Sequence, residues 1–141
     1  MLCLKLKPPL IMVHGGAGSS IALSYNNRRK RYIEGLKEAV TIGFKRLKSG
    51  SVVDAVEEAV KYMEDNPAFN AGYGSALTLE GKVEMDAGIM DGKTLRAGAV
   101  ACVKRIKNPI VLARKVMELT DHVILAGEEA ERFGINLGLE L

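Results

Sequence analysis

Two rhythms of apolar and polar positions run through this chain. A helical rhythm comes first. Ile33, Leu36, Val40, Gly43 or Phe44, and Leu47 fall on one face at 3.6-residue spacing, which predicts a long helix capped by Asn26 or Asn27 and stopped by Gly50. Four basic residues, Arg28 to Arg31, oppose the dipole in its first turn, so the spacing allows a later start. A second helix is expected from Ser51, with Asp54 three residues on as a capping-box variant and Val52, Val56, Ala59, Val60 and Met63 as its apolar stripe. Pro67 ends it.

A period-two rhythm follows. Residues 76–79 and 83–90 alternate around Glu80-Gly81-Lys82, which predicts a hairpin burying Leu77, Leu79, Val83, Met85, Ala87 and Ile89. Asp91-Gly92 marks another turn, and residues 97–103 are small and apolar, as in a central strand. Asn108-Pro109 is a cap followed by proline at the first helical position. Ile110, Leu112, Ala113, Val116 and Met117 continue that helix, residues 123–125 suit a brief edge strand, and residues 128–133 a last helical turn or two. The short apolar run at residues 10–13, before the glycines at 15, 16 and 18, suits a buried strand. Paired helices and hairpin-linked strands make a layered α/β or α+β pattern. Residues 1–141 carry no internal boundary, repeat or low-complexity stretch.

Composition narrows the picture. The chain is 48% hydrophobic and 26% charged, the profile of a globular protein. A net charge of +3, with no aromatic residues interleaved among the basic ones, argues against a nucleic-acid partner. Cys3 and Cys102 stand outside any paired spacing, no apolar run is long enough for a membrane span, and a cytoplasmic location is the expectation.

Candidate chemistry is sparse. His14-Gly15-Gly16-Ala17-Gly18 lacks the lysine of a phosphate loop and the third glycine of a dinucleotide loop, so a tight turn is an equal reading. Glu84, Asp86 and Asp91 are a possible carboxylate group, with a solvated strand face as the plainer reading. Asn70, between Phe69 and Ala71-Gly72, could donate to an oxyanion or simply hold a left-handed turn.

Six segments in order change that balance. They are HGGAG at 14–18, SVVDAV at 51–56, NPAFNAGYGSALT at 66–78, GKVEMDAGIMDG at 81–92, AGAV at 97–100 and NPIVLARKVM at 108–117. Together they resemble the plant-type L-asparaginase / isoaspartyl peptidase family, over nearly the whole chain. The resemblance implies an αββα-sandwich N-terminal-nucleophile (Ntn) hydrolase, α+β in class, cut by itself before a threonine into α and β subunits. The threonine hydroxyl would attack an aspartyl side-chain amide or β-peptide carbonyl, with its own α-amine as base. Only the α-type part matches: no GTVG motif is present in these residues. The expectation is therefore an α subunit, inactive alone. Its partners would be a β subunit from the same precursor, a second αβ unit giving (αβ)2, and a small aspartyl substrate. Relatives acting on glycosylasparagine or on protein β-aspartyl bonds share the fold, and a non-catalytic binding fragment is the reading from another class.

The resemblance also assigns positions. Asn70 corresponds to a supporting residue near the nucleophile. His14, Gly15 and Gly16 correspond to the loop beside the scissile bond. The backbone carbonyls of Met63, Glu64, Asn66, Phe69, Ala71 and Tyr73 correspond to a cage for a structural sodium or potassium ion. No cofactor enters the chemistry itself, and substrate contacts are expected on the β chain.

Overall fold

The structure, a computed structural model, describes residues 9–15 and 26–141. Among the described residues, four α-helices and three strands follow in the order α1 (Asn26–Leu47), α2 (Val52–Asp65), β1 (Met85–Met90), β2 (Ala97–Val103), α3 (Pro109–Leu119), β3 (Ile124–Ala126) and α4 (Gly127–Asn136). No helix among the described residues is long and apolar enough to cross a membrane.

Helix α1 starts at Asn26 despite its basic first turn. Tertiary packing outweighs the few tenths to about 1 kcal/mol that each misplaced terminal charge costs. Its buried ridge is Gly35, Ala39 and Gly43, one residue every four, rather than the bulky stripe expected from spacing. Ile33 is largely exposed. The small ridge lets α2 approach closely: a Cβ on Gly43 would lie 2.9 Å from the Ala55 carbonyl oxygen and 3.1 Å from the Ala59 Cβ.

Helix α2 opens with the expected capping box. The Asp54 N–H donates to Ser51 Oγ at 3.1 Å, and the Ser51 N–H donates to Asp54 Oδ2 at 2.8 Å. The buried positions differ from expectation. Ala55 and Ala59 face α1, Val53 and Val60 pack toward the sheet, and Val52 and Val56 are exposed. Two adjacent small ridges need alanine, so Val52 and Val56 turn outward.

The three strands form one mixed sheet in the order β1-β2-β3. β1 pairs antiparallel with β2, and β2 pairs parallel with β3 across α3. Residues 97–103 are the central strand, as their composition implies. One face holds Met85, Ile89, Val100 and Val103 against Ile110, Leu112, Ala113 and Val116 of α3 and Ala130 of α4. Gly98 makes this approach possible: a Cβ there would meet the Ala113 carbonyl oxygen at 2.3 Å and the Met117 nitrogen at 2.4 Å. The opposite face carries Gly88, Met90, Ala97, Ala99, Ala101 and Ile124, none of them buried.

Three further sequence expectations need correction. The first arm of the hairpin, 76–79, forms a single bridge, Leu77 to Val83, with Leu77 and Leu79 exposed. The tip itself is present: the Thr78 N–H donates to the Lys82 carbonyl at 2.8 Å, and Gly81 takes φ +74°. The extended hairpin is instead β1–β2, turning at residues 91–96. Residues 10–13 form no ladder with other described residues. Their exposure alternates as in a strand, and Ile11 presses its Cδ1 onto Gly43. Asn108 stands at the cap position of α3 without a side-chain cap bond, and its Nδ2 donates to Asp65 Oδ1 at 3.0 Å.

Candidate functional site

The loop leaving α2 is tied down by one ring. Phe69 is 3% exposed and sits 4.8 Å from the Tyr32 ring, centroid to centroid, at 51°. Gly35 and Gly15 leave room for it: a Cβ on Gly35 would lie 2.9 Å from Phe69 Cε2, and one on Gly15 would lie 3.0 Å from Cε1. The 14–15 segment and the Asn70 loop thus share the same anchor. His14 is exposed beside Gly15, and Gly16 lies outside the described residues.

Short polar bonds shape the rest of the loop. Asn66 Oδ1 accepts the Ala68 N–H at 3.0 Å, and its Nδ2 donates to the Tyr62 hydroxyl at 3.3 Å. Asn70 Oδ1 accepts the Ala76 N–H at 2.7 Å, closing a seven-residue loop and fixing the amide plane. The donor side of Asn70 has no partner among the described residues, and the residue is exposed. The amide is held by its acceptor and keeps its donors available, which suits the donor reading; the left-handed turn is not found, since Asn70 is not among the described residues with positive φ.

Carbonyl groups gather in the same loop. Met63, Asn66 and Ala71 each accept one backbone N–H, from Asn66, Phe69 and Gly74 respectively, and a carbonyl has a second lone pair. Glu64 and Phe69 present theirs to glycines. A Cβ on Gly72, at φ +52°, would meet the Glu64 oxygen at 2.4 Å, and one on Gly74 would meet the Phe69 oxygen at 2.1 Å. Tyr73 lies in the 3-10 turn Gly72–Gly74 with its side chain exposed. Among the described residues no three His, Cys, Asp or Glu side chains gather as a metal would need. Neutral carbonyl oxygens are ligands of a hard cation rather than of a soft transition metal.

The carboxylates singled out from sequence have structural work. Asp91 builds the β1–β2 turn, accepting from the Thr94 hydroxyl at 2.7 Å and the Lys93 N–H at 3.0 Å, and these bonds lower its pKa. Asp86 Oδ1 accepts the Cys102 N–H at 2.8 Å where the register shifts and Cys102 takes φ +56°. Glu84 pairs with Lys104 at 3.3 Å.

Sequence reasoning missed the side chain of Glu64. It is 3% exposed, and its Oε1 accepts the Ile110 N–H at 3.0 Å, capping α3 from another helix. Burial pushes its carboxyl up to about 7, against the lowering effects of that bond and of the neighbouring Asn108 side chain. Its Oε2 is buried without a partner among the described residues. The signal was present: Val53, Glu57, Val60 and Glu64 share one helical face. Glu57 on that face meets Arg114 at 2.6 Å, and Arg114 also binds Asp54 and Glu118, each at 2.7 Å. Glu131, also missed, is buried and binds the Arg105 side chain at 2.8 Å and the Lys104 and Arg105 amides.

Comparison with known proteins bears on all of this. A family model described as Asparaginase matches residues 7–141. The chain is 60% identical over 128 residues to a plant-type L-asparaginase of Pyrococcus horikoshii, covering 91% of this chain and 41% of that relative. It is 62% identical over 130 residues to a plant-type L-asparaginase of Thermococcus kodakarensis, covering 92% and 42%. It is 52% identical over 131 residues to an isoaspartyl peptidase/L-asparaginase of Mus musculus, covering 92% and 39%. The chain therefore spans about two fifths of the length of these relatives. With its motifs in order and a family model matched over residues 7–141, this chain belongs to the asparaginase family.

Proposed function

We propose that these residues are the α-type part of an amidohydrolase that cleaves L-asparagine and β-aspartyl dipeptides. The carrying observation is the likeness to plant-type L-asparaginases and to an isoaspartyl peptidase/L-asparaginase over more than nine tenths of the chain. The nucleophile in this reading is a threonine outside these 141 residues, freed as an N-terminus on a β chain of the same precursor. Its hydroxyl adds to the substrate carbonyl while its α-amine takes the proton. The leaving amine departs with a proton, and water hydrolyses the acyl-enzyme.

Within this chain the supporting role falls to Asn70. Its Oδ1 is occupied by the Ala76 N–H, so its Nδ2 donors face outward with the amide plane fixed. A preorganised amide donor of this kind stabilises developing negative charge, worth on the order of 10²–10³ in kcat. His14, Gly15 and Gly16 belong in this reading to the loop beside the scissile bond, where small residues admit a strained turn. The carbonyls of Met63, Glu64, Asn66, Phe69, Ala71 and Tyr73 would hold a sodium or potassium ion, which supplies a fixed charge that keeps the loop closed. The sheet face of Gly88, Ala97, Ala99 and Ala101 would meet the second sheet of an αββα sandwich, supplied with the β chain, and two αβ units would associate.

The test uses the complete protein. Ammonia release from L-asparagine and aspartate release from a β-aspartyl dipeptide are measured for wild type and Asn70→Ala. The expected result is hydrolysis by wild type and a kcat lower by about 10²–10³ in the variant. Absence of both activities in the wild type would overturn the reading.

A further inference from the structure

Glu64 joins two parts of the molecule that are 46 residues apart in sequence. Its side chain caps α3 through the Ile110 N–H at 3.0 Å. Its backbone carbonyl and Cβ form the floor under Gly72, where an added Cβ would lie 2.4 and 2.7 Å away. Gly72 is two residues from Asn70, in the loop that the Asn70–Ala76 bond closes. Asp65, next along the chain, accepts from Asn108 Nδ2 at 3.0 Å, so the end of α2 is stitched twice to the start of α3. The N-terminus of α3 is in turn fixed by the core, since Ile110, Leu112 and Ala113 are all buried against the sheet.

A cap made by a local asparagine would be the usual arrangement, and Asn108 occupies that position. Its amide is directed to Asp65 instead, and a buried glutamate from α2 takes its place. Burying a carboxylate is costly, and here one of its oxygens gains no partner among the described residues. A capping role alone would be met more cheaply by Asn108. The arrangement gains something a local cap cannot give, a rigid link from the sheet-packed helix to the loop.

We propose that Glu64 is a positioning residue for Asn70: through its bond to Ile110 it sets the height and tilt of the loop carrying the Asn70 amide. This rests on the role proposed for Asn70. Removing the side chain frees the end of α2 and lets the floor under Gly72 shift, and a displacement near 1 Å at a reacting group is enough to cost on the order of 10²-fold in rate. Substrate contacts are expected elsewhere, so the effect falls on kcat rather than KM.

The experiment uses the complete protein and steady-state kinetics on L-asparagine, well below the melting temperature of every variant. Glu64→Ala is compared with Glu64→Gln, which keeps an acceptor for Ile110. A third variant, Val116→Ala, loosens the buried face of α3 without touching the loop. The expected result is a kcat at least tenfold lower for Glu64→Ala with KM within about threefold. Glu64→Gln should stay within about threefold of wild type, and Val116→Ala close to wild type. In an Asn70→Ala background, Glu64→Ala should lower kcat no further. The proposal is overturned if Glu64→Ala matches Val116→Ala, or if the Glu64 and Asn70 effects multiply. An inactive wild type would count against the asparaginase reading instead, which keeps the two failures apart.

Discussion

Phe69→Ala is the most informative change to the loop. The ring is 3% exposed and packs against Tyr32, Gly35 and Gly15. Truncating a buried phenylalanine costs about 3–5 kcal/mol through lost transfer energy and the cavity left behind. The tilted contact with Tyr32, at 4.8 Å, accounts for about 0.5–1.5 kcal/mol of that. The 14–15 segment can relax toward the gap, which favours the lower half of the range, about 3–4 kcal/mol. Urea unfolding of the complete protein at 25 °C measures it. Tyr32→Ala and the double variant complete a cycle whose coupling should be about 0.5–1.5 kcal/mol. A Phe69→Ala loss below about 1 kcal/mol would refute the reasoning, since a fully buried ring cannot be removed that cheaply. So would a coupling indistinguishable from zero.

Other outcomes follow from the same geometry. Gly98→Ala drives a methyl into the α3 backbone at Ala113 and Met117, where no side chain can yield; a loss of at least about 3 kcal/mol, or insoluble protein, is expected in a thermal melt. Asp54 is held at about 2, below its ordinary 3.8, by the Ser51 N–H and then by Arg114. A depressed carboxylate stabilises the fold fully above pH 3.8 and loses that contribution as pH falls toward 2. The stability gap between wild type and Asp54→Asn should therefore be constant near neutrality and shrink on acidification below about pH 4; a gap that widens there would contradict the assignment. Sodium or potassium chloride should raise the melting temperature more than an equal concentration of choline chloride if the 63–73 loop holds an alkali ion, and equal shifts would count against the cage.

The secondary structure was legible where local chemistry decides it. The Ser51–Asp54 capping box, the proline start of α3 and the small apolar strand β2 are each a local pattern, and each is present. What escaped was set by partners. The face of α2 depends on α1 presenting Gly35, Ala39 and Gly43, so Val52 and Val56, expected inside, are outside and Ala55 is inside, while Ala59 is buried and Val60 packs toward the sheet as expected. Leu77 and Leu79 have the alternation of a buried arm, and among the described residues nothing buries them. Residues 10–13 likewise carry strand periodicity without a ladder among the described residues. The candidate site divides in the same way. Asn70 stood out because it lies between Phe69 and Ala71-Gly72 in a stretch of turn formers, and its Oδ1 does close the loop. The Glu64 side chain did not: its face, shared with Val53 and Val60, marks it as inward, but its partner is a backbone amide, which no residue letter reports.

The central claim is that this chain supports a nucleophile carried on another part of the same protein. Intact-mass analysis of purified, catalytically active complete protein tests it most directly. The account predicts two chains, one containing these residues and one beginning with threonine, with activity appearing as the second chain accumulates. A fully active protein of a single uncut chain, or a second chain beginning with another residue, would contradict it.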